Sequence, residues 1–283
     1  MSITSTYSHP ILKNKDGKFT SLTDQLAIEE PLEIQLLFGP ANHRQRKSIA
    51  VTMRTPGYDF ELAAGFLLTE GIIQSGMDIQ KIAYAHSPDP DHFENTVVVV
   101  LNHTVEVDLH QLERHFYTSS SCGVCGKASI AAITVKNLPK LTPTTQHIAP
   151  ELLHGLPEKL RSVQAVFDKT GGLHAAALFD FQGNLLSWRE DVGRHNAVDK
   201  LIGQQLIENN LPLSGRLILV SGRASFELIQ KSLTVGIPML AAVGAPSSLA
   251  VQLAEEHGMT LIGFLRNEQY NVYCGEGRLG LVE

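Results

Sequence analysis

The chain has 283 residues, of which 43% are hydrophobic and 18% charged, and its formal net charge at pH 7 is -6. This composition is typical of a globular protein that buries a core without disulfide or metal support. The acidic balance argues against a nucleic-acid binder that depends on net charge, and no apolar run reaches the roughly 20 residues of a membrane span. A polar N-terminus without signal-peptide character favours a cytoplasmic protein with no membrane partner.

The first half of the chain predicts a small α+β part. Apolar patterns predict a helix over residues 60–73, with Asp59 as its N-cap, and strands over 32–37, 47–53 and 96–101. A stretch rich in Pro and Thr over 138–150 is the best candidate for a boundary. The predicted organisation is therefore a flexible tail, an N-terminal part and a C-terminal part, over residues 1–20, 21–145 and 146–283.

The second half alternates between helix and strand patterns. The turn 182–184 predicts a hairpin between two strands. The predicted helices cover 152–167, 196–208, 226–234 and 248–257, and the predicted strands cover 174–181, 185–189, 216–220, 238–243 and 259–264. Such alternation predicts an α/β fold with a mainly parallel sheet covered by helices on both faces.

Two of the three cysteines form a C-x-x-C pattern in the sequence Ser121-Cys122-Gly123-Val124-Cys125-Gly126. Three cysteines are too few for a disulfide scaffold. The glycines leave both thiols accessible, and a thiol of lowered pKa reacts as its thiolate. Structural zinc needs four ligands, of which Cys274 supplies at most one more. The pattern favours a reactive thiol over a metal ligand, but the spacing does not separate redox exchange from sulfur transfer.

A zinc-dependent deaminase is a rival interpretation of the same cysteines. His92-Phe93-Glu94 followed by Cys122 and Cys125 matches the deaminase pattern H-x-E…P-C-x-x-C in its spacing. Ser121 replaces the expected proline, and His92 lies in a loop rich in Pro and Asp rather than at a helix start. The deaminase stays a weaker alternative because the structural context of the pattern is absent.

The turn 221–225 follows a predicted strand, precedes a predicted helix and contains Arg223. Ligands bind at the carboxyl ends of parallel strands, and the free amides of a helix start together with an arginine suit a phosphate. The turn 244–248 repeats this arrangement at the next strand, and Arg266 follows the last strand. The candidate anion-binding residues in the two turns are Ser221, Gly222, Arg223, Ser225, Ser247 and Ser248. The ordinary alternative is a capped turn with Ser225 as N-cap.

Two histidines lie close to these turns in the predicted fold. His195 belongs to the polar segment 191–200 at a helix start, and His174 begins the predicted hairpin. Each histidine suits proton transfer or a hydrogen bond to a ligand, and each also suits a purely structural role.

Taken together, these segments closely resemble the formate dehydrogenase accessory sulfurtransferase family. The resemblance extends over most of residues 50–273. The matching stretches are 54–57, 61–73, 120–127, 170–179, 189–200, 220–231 and 245–250.

The resemblance implies a cytidine-deaminase-like, three-layer C-terminal domain without the deaminase zinc site, beside a smaller N-terminal α+β part that carries the C-x-x-C loop. It also implies a homodimer that accepts persulfide sulfur from a cysteine desulfurase. The sulfur then passes to the molybdenum bis(molybdopterin guanine dinucleotide) cofactor destined for the formate dehydrogenase apoenzyme, with GDP as an analogue of the cofactor and no structural metal.

The resemblance further assigns roles to individual residues. Cys122 matches the persulfide-bearing cysteine and Cys125 its companion. The cofactor-binding segment matches Phe264, Leu265, Arg266, Asn267, Glu268 and Gln269, and His195 is a further candidate ligand. A protein of another class, a nucleotide-binding chaperone of a molybdoenzyme that transfers no sulfur, stays open as an alternative.

Overall fold

The computed structural model describes residues 5–85, 94–107, 138–141 and 146–280. Within these ranges the chain forms three β-sheets. A four-stranded sheet, a layer of long helices, a six-stranded sheet and a layer of short helices stack on one another, and a two-stranded ribbon precedes them. None of the helices in the described ranges is long and apolar enough to cross a membrane.

The N-terminal ribbon consists of β1 (Thr6–Lys15) and β2 (Lys18–Ala27), which pair in antiparallel fashion along their whole length. The turn residues Asp16 and Gly17 both have positive φ angles, 52° and 77°, as a tight hairpin turn requires. The predicted flexible tail over 1–20 is therefore wrong from Thr6 onward. The Asp-Gly pair between two strand-forming segments is a hairpin signal that the prediction of a tail overlooked.

The four-stranded sheet contains β3 (Glu30–Phe38), β4 (Gln45–Arg54), β5 (Ile79–Tyr84) and β6 (Thr96–Leu101), in the order β4-β3-β6-β5. Strand β3 pairs in parallel with β6, and the outer pairs are antiparallel. Alternate residues of β3 are buried because one face of the sheet covers the helix layer. The strands predicted over 32–37, 47–53 and 96–101 are confirmed.

Helix α1 (Asp59–Thr69) packs on this sheet. It ends four residues before the predicted end at Ile73. Tyr58, rather than Asp59, occupies the N-cap position, and Asp59 instead accepts two hydrogen bonds from Arg54, each 3.1 Å long. The predicted capping role of Asp59 is wrong because a buried arginine needs the carboxylate as its partner.

The short helices α2 (Pro150–His154), α3 (Leu156–Arg161) and α4 (Ala165–Thr170) replace the single predicted helix over 152–167. The break between α2 and α3 lies at Gly155, directly before the proline-containing first turn of α3. Proline lacks an amide hydrogen and suits a helix start, so the chain begins a new helix there. These short helices cover one face of the six-stranded sheet.

The six-stranded sheet has the order β12-β11-β10-β9-β7-β8. Its central strands β9, β10 and β11 are parallel, and the strands that flank them are antiparallel. The strands are β7 (His174–Asp180), β8 (Leu185–Asp191), β9 (Arg216–Val220), β10 (Met239–Ala242), β11 (Thr260–Arg266) and β12 (Gln269–Cys274). The predicted hairpin is confirmed. The sheet is mixed rather than mainly parallel. The hairpin of β7 and β8 adds antiparallel strands on one side, and β12, which was not predicted, adds an antiparallel strand on the other.

Helices α5 (Arg194–Ile207), α6 (Phe226–Thr234) and α7 (Ser248–His257) cover the other face of this sheet. The bounds predicted for α6 and α7 are confirmed. The six-stranded sheet thus lies between two helix layers, which confirms the α/β class. The cytidine-deaminase-like detail and the boundary at residue 145 stay predictions. The C-x-x-C loop lies outside the described residues.

Helices α1 and α5 cross at two glycines that have no room for a side chain. A Cβ atom on Gly65 would lie 1.9 Å from the carbonyl oxygen of Asp199, and one on Gly203 would lie 1.8 Å from that of Glu61. The crossing joins residues of the predicted N-terminal and C-terminal parts in one core. Close backbone approach explains the two glycines, each of which weakens its helix by about 1 kcal/mol relative to alanine.

Candidate functional site

Three loops meet at the carboxyl edge of the central strands. The amide of Gly244 donates to the carbonyl of Gly222 at 2.9 Å, and the amide of Ser247 donates to that of Ala224 at 3.0 Å. The amide of Phe264, at the end of β11, donates to the carbonyl of Gly244 at 3.1 Å. The structure therefore brings together the turns 221–225 and 244–248 and the start of segment 264–269, as the sequence predicted.

Glycines permit this close approach of the loops. A Cβ atom on Gly244 would lie 3.0 Å from the Gly222 carbonyl oxygen and 3.1 Å from the Arg223 Cα. One on Gly263 would lie 2.8 Å from the ring of Pro246. Phe264 follows with a φ of 53°, a left-handed conformation that is strained for a bulky side chain. Backbone strain of this kind concentrates at functional sites.

Ser225 occupies the N-cap position of α6, but its hydroxyl makes no capping hydrogen bond. The hydroxyl instead lies 3.3 Å from Nε2 of the buried His195, and a carboxylate oxygen of Glu227 lies 3.6 Å from the same nitrogen. Burial raises the pKa of Glu227, but hydrogen bonds from His195 and from its own amide outweigh burial and lower the pKa to about 2. The ordinary capped turn is thus not what the structure contains.

His174 lies on the other side of the turn, beside Gly222, where a Cβ atom would be 3.3 Å from the Nδ1 of the histidine. Burial lowers the pKa of His174, and the positive charge of Arg194 lowers it further. A neutral imidazole at this edge suits a hydrogen bond to a ligand. The Nε of Arg194 is buried and has no hydrogen-bond partner among the described residues.

The remaining predicted site residues divide between the surface and the core. Arg223 and Arg266 are exposed, as are Ser248, Glu268 and Gln269. The hydroxyl of Ser247 accepts from the amide of Ala250 at 3.2 Å and thereby caps α7. Asn267 donates to Glu158 at 2.6 Å. Leu265 is fully buried in the core beneath the short helices, so its side chain takes no part in the open edge.

This arrangement suits an anion with several oxygens. The N-termini of α6 and α7 begin at adjacent loops, and the two exposed arginines add positive charge. Two contributors were not predicted from the sequence. Glu227 was assigned no role, although it follows Ser225 by two residues. Arg194 was passed over beside His195, although its place at a helix start was visible in the sequence.

The polar segment 191–200 mostly stabilises the fold. Lys200 and Asp191 form a buried ion pair of 2.7 Å, and Lys200 also donates to the carbonyl of Thr55 at 2.8 Å. The other carboxylate oxygen of Asp191 accepts from Asn196 at 2.9 Å and from the Gly193 amide at 2.8 Å. These contacts tie the end of β4 to the start of α5. The segment therefore positions His195 through its neighbours.

Of the three cysteines, the structure describes Cys274. Cys122 and Cys125 lie outside the described residues. Cys274 is 9% exposed, and its thiol donates to the carbonyl of Met259 at 3.2 Å. Burial raises the pKa of this thiol to about 11, which disfavours the reactive thiolate. Cys274 is therefore a structural residue.

Most residues of the zinc-dependent deaminase pattern lie outside the described residues. His92, Cys122 and Cys125 of the deaminase pattern are among them. Across residues 5–85, 94–107, 138–141 and 146–280, no group of three or more histidine, cysteine or acidic side chains is placed to hold a metal ion.

Known proteins are similar to this chain over nearly its whole length. The model of the FdhD/NarQ family matches residues 27–280. The sulfur carrier protein FdhD of Streptomyces coelicolor is 51% identical over 96% of this chain and 94% of its own length. The protein of the same name from Saccharolobus solfataricus is 39% identical over 95% of this chain and 96% of its own length.

A solved structure has the same fold. It is described as that of a formate dehydrogenase accessory protein from Desulfotalea psychrophila, and it matches 98% of this chain and 100% of its own with a TM-score of 0.72 at 22% identity. The match of the family model and the high identity to relatives over nearly their full length lead to one conclusion: this chain is a member of the FdhD/NarQ family.

Proposed function

We propose that this protein is a cytoplasmic sulfur carrier that supplies sulfur for formate dehydrogenase. The observation that carries the proposal is its identity of about half over nearly full length to proteins named sulfur carrier protein FdhD. These names favour the carrier over a chaperone without sulfur transfer and over a deaminase. The partners are a cysteine desulfurase as donor and the molybdenum cofactor of the formate dehydrogenase apoenzyme as acceptor.

The loading step is a thiol–persulfide exchange at Cys122. The Cys122 thiolate attacks the terminal sulfur of the desulfurase persulfide, a new sulfur–sulfur bond forms, and the old bond breaks. The desulfurase cysteine leaves as a thiolate, so the exchange needs no external oxidant or reductant. Cys274 is unsuited to this step because its thiol is buried and its pKa is raised.

The role of Cys125 distinguishes two routes for delivery. In one, the Cys125 thiolate attacks the inner sulfur of the Cys122 persulfide, which forms a disulfide and releases hydrosulfide. In the other, Cys125 assists direct transfer of the terminal sulfur, and Cys122 returns to a thiolate. A disulfide between Cys122 and Cys125 after delivery would identify the first route.

The carboxyl-edge loops, which are residues 221–225, 244–248 and 264–269, suit the guanine dinucleotide portions of the cofactor. Two helix N-termini, the exposed Arg223 and Arg266 and the neutral His174 are the groups that would hold phosphate oxygens. GDP, which carries the same diphosphate and base, is the probe for this site. The molybdenum cofactor is here the substrate that receives sulfur.

Mass spectrometry after incubation with a cysteine desulfurase and cysteine tests the loading step. One added sulfur, an increase of about 32 Da, should map to the peptide that contains Cys122. Cys122→Ala should lose the adduct, while the matched control Cys274→Ala should keep it. An adduct only on Cys274 would contradict the proposed function.

A further inference from the structure

Gly222 leaves a gap at the start of the turn 221–225. Its φ angle does not lie in the left-handed region, so the backbone conformation does not require a glycine. A Cβ atom at this position would lie 3.3 Å from the Nδ1 of His174 and 4.0 Å from the Cδ of Arg194. The missing side chain therefore lets a ligand approach these two residues from the turn.

The backbone of the same turn has two amide groups that the protein does not use. The amides of Ser221 and Ala224 donate to backbone carbonyls at 2.9 and 3.2 Å. Between them, the amides of Gly222 and Arg223 donate no hydrogen bond to any residue that the structure describes. Backbone amides are strong donors, and successive free amides in a turn attract an anionic oxygen.

Arg194 adds a positive charge that lacks an acidic partner. It is the first residue of α5, and its side chain is partly buried beside Gly222. Within the described ranges no carboxylate forms an ion pair with it, and its buried Nε has no hydrogen-bond partner. A guanidinium that has lost part of its hydration requires an anion, and here the protein supplies none.

Two carboxylates in this region are already engaged with other residues. Asp191 forms its buried ion pair of 2.7 Å with Lys200, and a carboxylate oxygen of Glu227 lies 3.6 Å from the Nε2 of His195. Their negative charges are therefore balanced by other cations. The gap beside Gly222 is left with hydrogen-bond donors and a positive charge, and this combination suits a phosphate group.

His174 is the group beside the gap whose charge can change. It begins β7, which lies between β8 and β9 and beneath α5. The charged groups around it are Asp191 from β8 and Arg194 and His195 from α5, and the turn after β9 adds the exposed Arg223. Burial lowers the pKa of His174 below its ordinary value of 6.5, and Arg194 and His195 lower it further, whereas Asp191 raises it. The imidazole is therefore neutral at pH 7 in the free protein.

We propose that a phosphate group of the nucleotide binds in the gap beside Gly222, against Arg194 and the two free amides, and that His174 takes up a proton from solvent as it binds. The negative charge of the phosphate stabilises the imidazolium, whose Nδ1–H then donates to a phosphate oxygen. The proposal rests on the proposed role of the carboxyl-edge loops as the nucleotide site. It adds the residues that line the inner side of that site and couples binding to pH.

The affinity for GDP therefore rises as the pH falls. Proton uptake begins as the pH falls through the pKa of His174 in the complex, which the phosphate raises, and it ends below the pKa in the free protein. An opposite charge moves the pKa of a neighbouring group by about 1–3. Since binding and protonation strengthen each other equally, His174 should contribute about tenfold or more to the affinity at low pH.

Isothermal titration calorimetry with GDP tests the proton uptake. Titrations at one pH in two buffers of different ionisation enthalpy give the number of protons taken up for each GDP bound. Near neutral pH the wild type should take up more protons than His174→Gln, by up to about one, because protonation of GDP itself is common to both proteins. The control His43→Gln removes an exposed histidine in the loop between β3 and β4 and should match the wild type.

The pH dependence of the affinity provides a second test of His174. The ratio of the wild-type affinity for GDP to that of His174→Gln should increase about tenfold between about pH 8.5 and pH 5.5. Arg194→Gln should weaken GDP binding at every pH, because arginine keeps its charge throughout this range. A ratio that does not change with pH, or equal proton uptake by the wild type and His174→Gln, would overturn the proposal.

The place of the phosphate is tested by filling the gap. Gly222→Ala should weaken GDP binding at least about tenfold without a loss of melting temperature, because its backbone accepts alanine. The control Gly215→Ala, whose Cβ would lie 3.6 Å from Gln146, should bind as the wild type does. Wild-type affinity in Gly222→Ala would also overturn the proposal.

The outcomes separate this proposal from the proposed function. GDP binding without proton uptake by His174 overturns the coupling alone, whereas no GDP binding at all removes the nucleotide site as well. Persulfide loading of Cys122 is measured by mass spectrometry and decides the sulfur-carrier function independently of both.

Discussion

The segments 54–59 and 191–200 contain charged residues more densely than the carboxyl-edge loops do, and the two regions use their charges differently. In the first region Lys200 with Asp191 and Arg54 with Asp59 form buried ion pairs. In the second, Arg223 and Arg266 lie exposed at the edge of the sheet. Buried charges require partners within the protein, whereas exposed arginines at the carboxyl edge of the sheet are available to a ligand. The density of charged residues in the sequence therefore does not distinguish a segment that stabilises the fold from one that binds a ligand.

The largest effect is expected where a buried charge loses its partner. Lys200→Met should lower the free energy of unfolding by about 3–5 kcal/mol, because Asp191 would stay buried without its cation. Urea denaturation measures the change. The control Asp168→Asn breaks the exposed pair with Arg161 and should cost at most about 1 kcal/mol. Equal losses of unfolding free energy in the two variants would mean that the buried pair of Lys200 and Asp191 stabilises the fold no more than an exposed pair does.

A second stability effect is expected at the helix crossing. Gly203→Ala should lower the free energy of unfolding by about 2–3 kcal/mol or more, because its Cβ would meet the backbone of α1. Gly277→Ala is the control, since a Cβ there has no neighbour within 4 Å. Thermal melting of both variants suffices. A Gly203→Ala variant as stable as the control would show that the helices separate at little cost.

At the carboxyl-edge loops the expected effect is on binding. Arg223→Ala should weaken GDP binding by about 1.5–3 kcal/mol, the usual contribution of a hydrogen bond to a charged group. Calorimetry measures it, with Arg216→Ala at the opposite end of β9 as the control. Because Arg223 is exposed, the melting temperature should not change. An unchanged affinity for GDP would move the anion site elsewhere.

The same arginine tests whether loading and delivery are separate. Arg223→Ala should still acquire persulfide on Cys122 but fail to activate formate dehydrogenase, while Cys122→Ala should bind GDP normally and deliver no sulfur. If loading and delivery use separate sites, the two variants should behave independently. Loss of persulfide loading in an Arg223→Ala variant that melts like the wild type would contradict a two-site mechanism.

The smallest effect concerns the acid stability of the His195–Glu227 pair. Because the pKa of Glu227 falls from 4.5 to about 2 on folding, its stabilisation is present above pH 4.5 and is lost as the pH falls towards 2. Glu227→Gln should therefore cost about 1–2 kcal/mol at neutral pH and flatten this part of the stability profile.

Glu256→Gln, at an exposed position of α7, is the control for this pH dependence and should retain the wild-type profile. Urea denaturation at several pH values between 2 and 7 compares the variants. A Glu227→Gln profile as steep as that of the wild type would mean that the carboxylate is not stabilised by the histidine.

Local sequence patterns determined much of the secondary structure. The bounds of β9, α6 and α7 followed from short apolar runs and from serines at the helix starts, because such patterns act over a few residues. The same kind of signal was present and overlooked in Asp16-Gly17, which turns the predicted tail into a ribbon. Gly155 and the proline after it likewise marked the break in the predicted helix over 152–167.

Tertiary structure decided the contacts between residues that are far apart in the chain. The sequence placed 221–225 and 244–248 at neighbouring strand ends and supplied the cysteines and the family. Only the fold joined His195 to Glu227, buried Leu265 beside the exposed Arg266, and paired Lys200 with Asp191 within the core. The physical reason is that capping, turns and periodicity arise from adjacent residues, whereas burial and charge pairing depend on which distant surfaces the folded chain brings together.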